Sequence, residues 1–298
     1  MYTATMLDEK IKILLIGSKG MLGHDLGAYL LKKGLENVSL YDLPKCDITD
    51  SKILADCLTL TEPKIVINCS GITDVDGSEG KMKEAAYHVN SKGLKNLALL
   101  SIKFKFKLIH FSTDFVFDGL KSTPYSENDI PNPLSEYAKS KYEGEIHIKQ
   151  LCNDYLIIRT SWLYGRQGKN FVNTIIQSAL EKRTLNIVDD QVGSPTWTED
   201  LCEATYKLMN LDTNGFVHYS NEGECSWFEF GEEIVKTIQD KKWKVKCTKI
   251  TPIKSRELKR PALRPKYSVL SKDKFKKLTK ASPQKWKESL HLYIGSLN

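Results

Sequence analysis

Long apolar runs are missing from this 298-residue sequence, and none approaches the roughly 20 residues that a helical membrane span needs. No membrane partner is therefore expected. Residues 1–10, MYTATMLDEK, also lack the apolar stretch of a secretory signal. The seven cysteines (Cys46, Cys57, Cys69, Cys152, Cys202, Cys225 and Cys247) include no CxxC pair and are odd in number. That argues against a disulfide framework or a zinc site and fits a reducing compartment. These absences predict a cytoplasmic protein, and no metal-ligand spacing is found in it. Internal repeats and low-complexity tracts are absent too, which leaves an ordinary globular fold. Acid is scarce in one region: residues 241–280 hold sixteen Lys or Arg against Glu257 and Asp273 alone. Such a segment is either solvated surface or a face for the phosphates of a small anionic ligand. No nucleic-acid motif accompanies it, so no nucleic-acid partner is expected.

What is present is a regular alternation. Ile11–Ile16 is a short apolar, β-rich run that ends at Gly17, and Leu22, Leu26, Leu30 and Leu31 then recur at helical spacing. Val38–Tyr41 and Ile65–Asn68 read as the next strands. A helix is predicted around Ala85–Leu100, followed by strands at Lys107–Ser112 and Leu156–Arg159. Strands alternating with helices imply a parallel sheet covered on both faces, an α/β fold of the doubly wound Rossmann type. Beyond Gly165 the pattern loosens. The expectation is a dinucleotide-binding domain over residues 1–165, to which the chain returns around 191–220, and a smaller substrate-binding lobe over most of 166–298.

Gly17-Ser-Lys-Gly20-Met-Leu-Gly23 stands between the first strand and the first helix. Without side chains, such positions let the backbone turn tightly and approach a pyrophosphate, whose charge sits on the helix N-terminus. A dinucleotide cofactor is the expectation, with Gly17, Gly20, Met21, Leu22 and Gly23 around it. Asp42, nineteen residues past Gly23, suits the adenine ribose hydroxyls and would repel a 2′-phosphate, which favours NADH. Lys19 and Lys45 can offset that repulsion, so NADPH and NADH both stay open.

Tyr137-Ala-Lys-Ser-Lys141 places a phenol and an ammonium on one face of a helix. A phenol with its ordinary value near 10 exchanges protons slowly at neutral pH, and a neighbouring ammonium lowers it. Ser112-Thr113-Asp114 closes a strand, where ligands bind in parallel α/β sheets. Its hydroxyls would face the nicotinamide and the reacting carbonyl.

In their order along the chain these elements resemble the dTDP-4-dehydrorhamnose reductases, within the extended short-chain dehydrogenases. The resemblance runs through the glycine loop, Cys46–Asp50, Asn68 with Thr73–Asp76, Asn90, and Ser112–Gly119. It continues through Tyr125–Glu127, Tyr137 to Lys141, Arg159–Gly165, Gln191–Thr196, and Arg264-Pro265 with Ser268 and Leu270. It implies reduction of the 4-keto group of a nucleotide-linked 4-keto-6-deoxyhexose, for deoxysugar and surface polysaccharide synthesis. It further implies Thr113, Tyr137 and Lys141 as catalytic residues, with Tyr137 the proton donor and Lys141 lowering the tyrosine's affinity for its proton. Asp47, Ile48, Ser70, Gly71, Asn90, Ser112 and Lys141 would join the cofactor site. Asp114, Phe115 and Trp162 would lie against the sugar, and Arg264 near the nucleotide or its phosphates. The partner is then a nucleotide-diphosphate deoxysugar, and the protein a monomer or homodimer. Phe115 replaces the family's usual tyrosine, and Cys69-Ser70-Gly71 its usual alanines. Two alternatives use the same scaffold. A dehydratase would carry Thr-Asp-Glu, whereas Phe115 follows Thr113-Asp114 here; an epimerase is less firmly excluded. A non-catalytic subunit like the regulatory one of methionine adenosyltransferase would lack the tryptophan that this chain keeps at Trp162.

Overall fold

A computed structural model describes residues 7–297. Its first half alternates β1 (Ile13–Ile16), α1 (Met21–Lys32), β2 (Val38–Tyr41), α2 (Ser51–Thr61), β3 (Ile65–Asn68), α3 (Lys83–Tyr87), α4 (Leu94–Phe104), β4 (Lys107–Thr113), α5 (Glu136–Leu151) and β5 (Tyr155–Thr160). The second half adds β6 (Leu163–Tyr164), α6 (Phe171–Glu181), β7 (Thr184–Val188), β8 (Val192–Gly193), β9 (Thr196–Trp197), α7 (Thr198–Met209), β10 (Gly215–His218), β11 (Cys225–Ser226), α8 (Trp227–Asp240), β12 (Lys249–Ile253), α9 (Asp273–Thr279) and α10 (Trp286–Gly295).

Six parallel strands form the main sheet in the order β10-β5-β4-β3-β1-β2. The chain first winds from β1 to β2, then crosses to β3 and continues the other way. The crevice beyond the carboxyl ends of β1 and β3 is thus the switch point where ligands bind in such folds. The two-residue period of a strand explains both cores. Ile13, Leu15, Ile65, Ile67, Ile109 and Ile158 face α1 and α7, whereas Leu14, Ile16, Val66, Leu108 and Ile157 face α2, α4 and α5. Two polar side chains, Asn68 and His110, fall on the second of these faces and pair in register.

The second lobe packs α6, α8 and α10 around the parallel pair β7–β12. Phe230, Ile234, Val235 and Ile238 form the buried stripe of α8, which starts at a capping box between Ser226 and Glu229. Residues 198–218 rejoin the first lobe, with α7 beside α1 and β10 beside β5. The helix expected over Ala85–Leu100 is three pieces: α3, a π-helical turn at His88–Gly93, and α4. The wide turn carries Asn90. Helix α5 starts just after Pro131 and Pro133, at a Ser135 cap that accepts from Ala138 N.

Candidate active site

Gly17 has φ +82°, and a Cβ there would come within 2.6 Å of Ser70 N. Only glycine lets the loop after β1 press against the loop after β3. Gly20 then caps α1 with no side-chain partner on the helix amides and no acid in the first turn, so Met21, Leu22 and Gly23 begin a helix that is open to an anion. Beside it lies a cavity of about 380 Å³ lined by Gly17, Lys19, Gly20, Asp42, Cys46, Asp47, Ile48, Ser70, Gly71 and Ile72. Asp47 orders its own turn by accepting from Thr49 N and Oγ1. Asp42 accepts from Lys19 N at 2.9 Å and Leu43 N at 2.8 Å, so its charge is already partly answered by backbone. Asn90 is buried, and its amide joins Ile72 to Ser140, which holds this wall against α5. A glycine cradle, an open helix end and a cavity of this size fit a dinucleotide.

At the end of β4 the hydroxyls and the phenol converge. Thr113 Oγ1 caps a short turn by accepting from Phe115 N, and it donates to Asp114 Oδ1. It also stands beside the hydroxyl of Tyr137, whose ring meets Phe115 edge-on at 6.2 Å. Ser112 Oγ is buried with no partner among the described residues, a polar atom left for a ligand. Burial pushes Tyr137 up to about 12, against the neighbouring Thr113 hydroxyl and with the Asp114 charge. Burial likewise pushes Asp114 up to about 7, although the nearby Ser268 and the Thr113 hydrogen bond to Oδ1 oppose it; Oδ2 has no partner among the described residues.

The expected lowering of the phenol by Lys141 is therefore not what the geometry shows. Lys141 Nζ donates to Phe111 O at 2.7 Å and stands 3.2 Å from His110 Nε2, inside the protein. Burial brings its ammonium down to about 8, against the opposing charge of Glu145. With the ammonium turned toward β4, desolvation decides the state of Tyr137. Gly71 does approach Lys141: a Cβ there would lie 3.8 Å from Nζ. His110 is a site residue that sequence reasoning missed, because a lone histidine in an apolar strand reads as core. The available signal was the polar pair Asn68 and His110 breaking two apolar strands at matching positions.

The second lobe reaches the site through residues 264–270. Val192 N donates to Lys266 O, Ser268 N donates to Val192 O, and Ser268 touches Asp114. Trp162, at φ +47°, stacks on Trp227 with centroids 3.5 Å apart, and a Cβ on Gly193 would meet its ring at 2.5 Å. One face of Trp162 is thereby taken by protein. Arg264 is engaged as well, since both guanidinium Nη atoms bind Asp76, at 3.0 and 2.8 Å, across the two lobes. Arg260, exposed and next to Arg264, was not singled out in the sequence. The basic segment divides here. Lys241, Lys242 and Lys244 are exposed beyond α8, while Lys254, Arg256, Lys259, Arg260, Arg264 and Lys266 line a cavity of about 730 Å³ with Asp190 its one carboxylate. Among the described residues no group of three or more His, Cys, Asp or Glu is placed to hold a metal ion.

With this geometry in view, the sequence matches the model of the RmlD substrate binding domain over residues 11–298. It is 37% identical over 283 residues to the spore coat polysaccharide biosynthesis protein SpsK of Bacillus subtilis, covering 95% of this chain and 96% of that one. It is 33% identical to a dTDP-4-dehydrorhamnose reductase of Aggregatibacter actinomycetemcomitans, covering 94% and 97%. In three dimensions it is similar to a Bacillus anthracis dTDP-4-dehydrorhamnose reductase solved in complex with NADP, with TM-score 0.91, 34% identity, and 96% and 99% of the two chains covered.

Proposed function

The chain belongs to the RmlD substrate binding domain family, and on that premise we propose that it reduces the 4-keto group of a dTDP-linked 4-keto-6-deoxyhexose. The observation that carries this reading is the meeting of Thr113, Tyr137 and Phe115 at the end of β4, beside the glycine cradle. A reduced nicotinamide dinucleotide, NADPH or NADH, supplies the hydride when bound. Gly17–Gly23, Asp42, Asp47, Ile48, Ser70, Gly71 and Ser112 would hold it, with Asn90 bracing their wall. A phenol pushed up to about 12 stays protonated at neutral pH, which suits a donor. Tyr137 gives its proton to the alkoxide oxygen that forms at C4, and Thr113 hydrogen-bonds that oxygen as charge builds on it. Asp114, Phe115 and the open edge of Trp162 bound the sugar.

The protein's setting is part of the same proposal. Residues 1–165, with the return through 191–220, form the cofactor lobe and most of 166–298 the substrate lobe. All seven cysteines are free, and no helix among the described residues is long and apolar enough to cross a membrane. On this reading the protein is a cytoplasmic monomer or homodimer that binds neither nucleic acid nor membrane.

The direct test is a panel of dTDP- and UDP-linked 4-keto-6-deoxyhexoses offered with NADPH and with NADH, product stereochemistry being read by NMR. Stoichiometric cofactor oxidation with a dTDP-linked member is the expected result. Tightly retained cofactor and product formation without net oxidation would instead mark an epimerase.

The basic cavity yields a separate expectation. A substrate diphosphate needs cations or backbone donors, and arginine binds phosphate oxygens with a planar fork. Because Arg264 also ties the cavity wall to Asp76, Arg264→Ala should raise KM by about tenfold or more while changing kcat less. Replacing Lys241, Lys242 and Lys244 together with Ala should leave both constants near the parent values. Steady-state kinetics on the two variants check this, and the reverse pattern would move the phosphate site to the end of α8.

A further inference from the structure

Asn68 on β3 and His110 on β4 stand at paired register positions, on the sheet face that Lys141 approaches from α5. The hydrogen bonds among them have a direction that the donors impose. The Ser70 backbone N–H, which can only donate, points to Asn68 Oδ1 at 3.2 Å, and the Ser70 hydroxyl reaches the same oxygen at 2.5 Å. This orients the amide. Its Nδ2, a donor, then meets His110 Nδ1 at 3.2 Å, so Nδ1 is the accepting nitrogen. Burial and the Lys141 charge keep His110 well below its ordinary value, so the ring is neutral and carries one proton. That proton sits on Nε2 and points at Lys141 Nζ, 3.2 Å away.

An N–H that faces an ammonium is a donor against a donor, whereas facing a neutral amine it finds a lone pair. Lys141 keeps its bond to Phe111 O in either state. We propose that Asn68 and His110 are positioning residues that favour the neutral form of Lys141, Asn68 by locking the His110 tautomer and His110 by offering an N–H where the ammonium needs an acceptor. When Lys141 loses a proton to a solvent base, one Nζ–H bond breaks. His110 keeps its own proton and donates it into the new lone pair.

The other groups around Lys141 do not supply this effect. Glu145, on the same helix, favours the ammonium but is itself bound by Arg159 through two hydrogen bonds. Cys69, from the loop after β3, stays a thiol because burial pushes it up. Tyr137, one turn before Lys141, remains a neutral phenol. Burial is the largest cause of the lysine's descent to about 8, and a His110 N–H aimed at Nζ would act in the same sense. The proposal rests on Lys141 being a working group of the reductase, and it makes Asn68 a residue that shifts the alkaline limit of the reaction.

The test uses the full-length protein, with and without bound NADPH. In 15N-histidine spectra of the parent, His110 should show a bare Nδ1 and a protonated Nε2. In 13C-lysine titrations, the midpoint of Lys141 should rise by about one pH unit or more in Asn68→Asp, whose carboxylate accepts from Nδ1–H and frees Nε2 to accept from the ammonium. It should rise by less in Asn68→Ala, where the tautomer is merely unlocked. The alkaline limb of kcat/KM should move with each midpoint. A parent His110 protonated on Nδ1 would overturn the proposal, as would an unchanged midpoint in Asn68→Ala; a rate loss equal at every pH would make Asn68 purely structural. The spectra need no turnover, so failure of the reductase reading would be seen separately in the substrate panel.

Discussion

Tyr137→Phe is expected to lower turnover by about a hundredfold or more while NADPH binds nearly as before. The substitution keeps the buried ring and its edge-on contact with Phe115 at 6.2 Å, and removes one hydroxyl. Of the two acidic groups described at the end of β4, Tyr137 and Asp114, that hydroxyl is the one held in its neutral, proton-bearing form across the whole neutral range, because burial pushes it up to about 12. Asp114 is less suitable, since at about 7 it is split between two states at neutral pH. Cofactor oxidation with the dTDP-linked keto-sugar, followed by absorbance, measures the loss, and a fluorescence titration measures NADPH affinity. Turnover near the parent value would remove Tyr137 from the chemistry and leave Asp114 as the remaining donor.

Lys141→Met is expected to be as damaging, and it should also weaken cofactor binding. The ammonium is buried against Phe111 O and His110, next to Gly71 in the wall of the dinucleotide cavity. Methionine fills a similar volume without charge. The sign of the stability effect separates the two roles. A lysine brought down from 10.5 to about 8 binds its proton less readily in the folded chain than in the unfolded one. Its charge therefore opposes folding below pH 8, and that cost fades as pH rises from 8 toward 10.5. Removing the charge should stabilise the fold at neutral pH, a gain that the unpaired Phe111 carbonyl offsets, so the melting temperature should not fall far below that of the parent. Lost activity with an intact melt and weakened NADPH binding is the expected combination. Full activity in a well-folded Lys141→Met would make the lysine a spectator.

Arg264 shows how a residue can be found while its surroundings are not. The Arg-Pro-x-x-Ser-x-Leu element pointed to it in the sequence, yet Asp76, its partner through two hydrogen bonds, lies 188 residues away. Nothing local to either residue announces that pair. Trp162 is similar: its presence was legible, but its left-handed backbone and its stacking on Trp227 were not.

The one-dimensional pattern determined by itself the alternation of strand and helix, the glycine loop between β1 and α1, and the Tyr137–Lys141 spacing. Each depends on near neighbours along the chain, on strand period, helix period and the missing side chains of a tight turn. It also placed Ser112–Asp114 at a strand end, where parallel sheets bind ligands. Tertiary structure decided the protonation of those same groups. Burial outweighs the i, i+4 neighbour at Tyr137, and Lys141 turns to Phe111 and His110 instead. Desolvation is set by everything packed around an atom, and His110 reaches Lys141 from another strand, held in turn by Asn68 and Ser70 from a second strand and a loop. A spacing of four residues states that two side chains share a helix face; only the packed sheet beneath them states what each one faces.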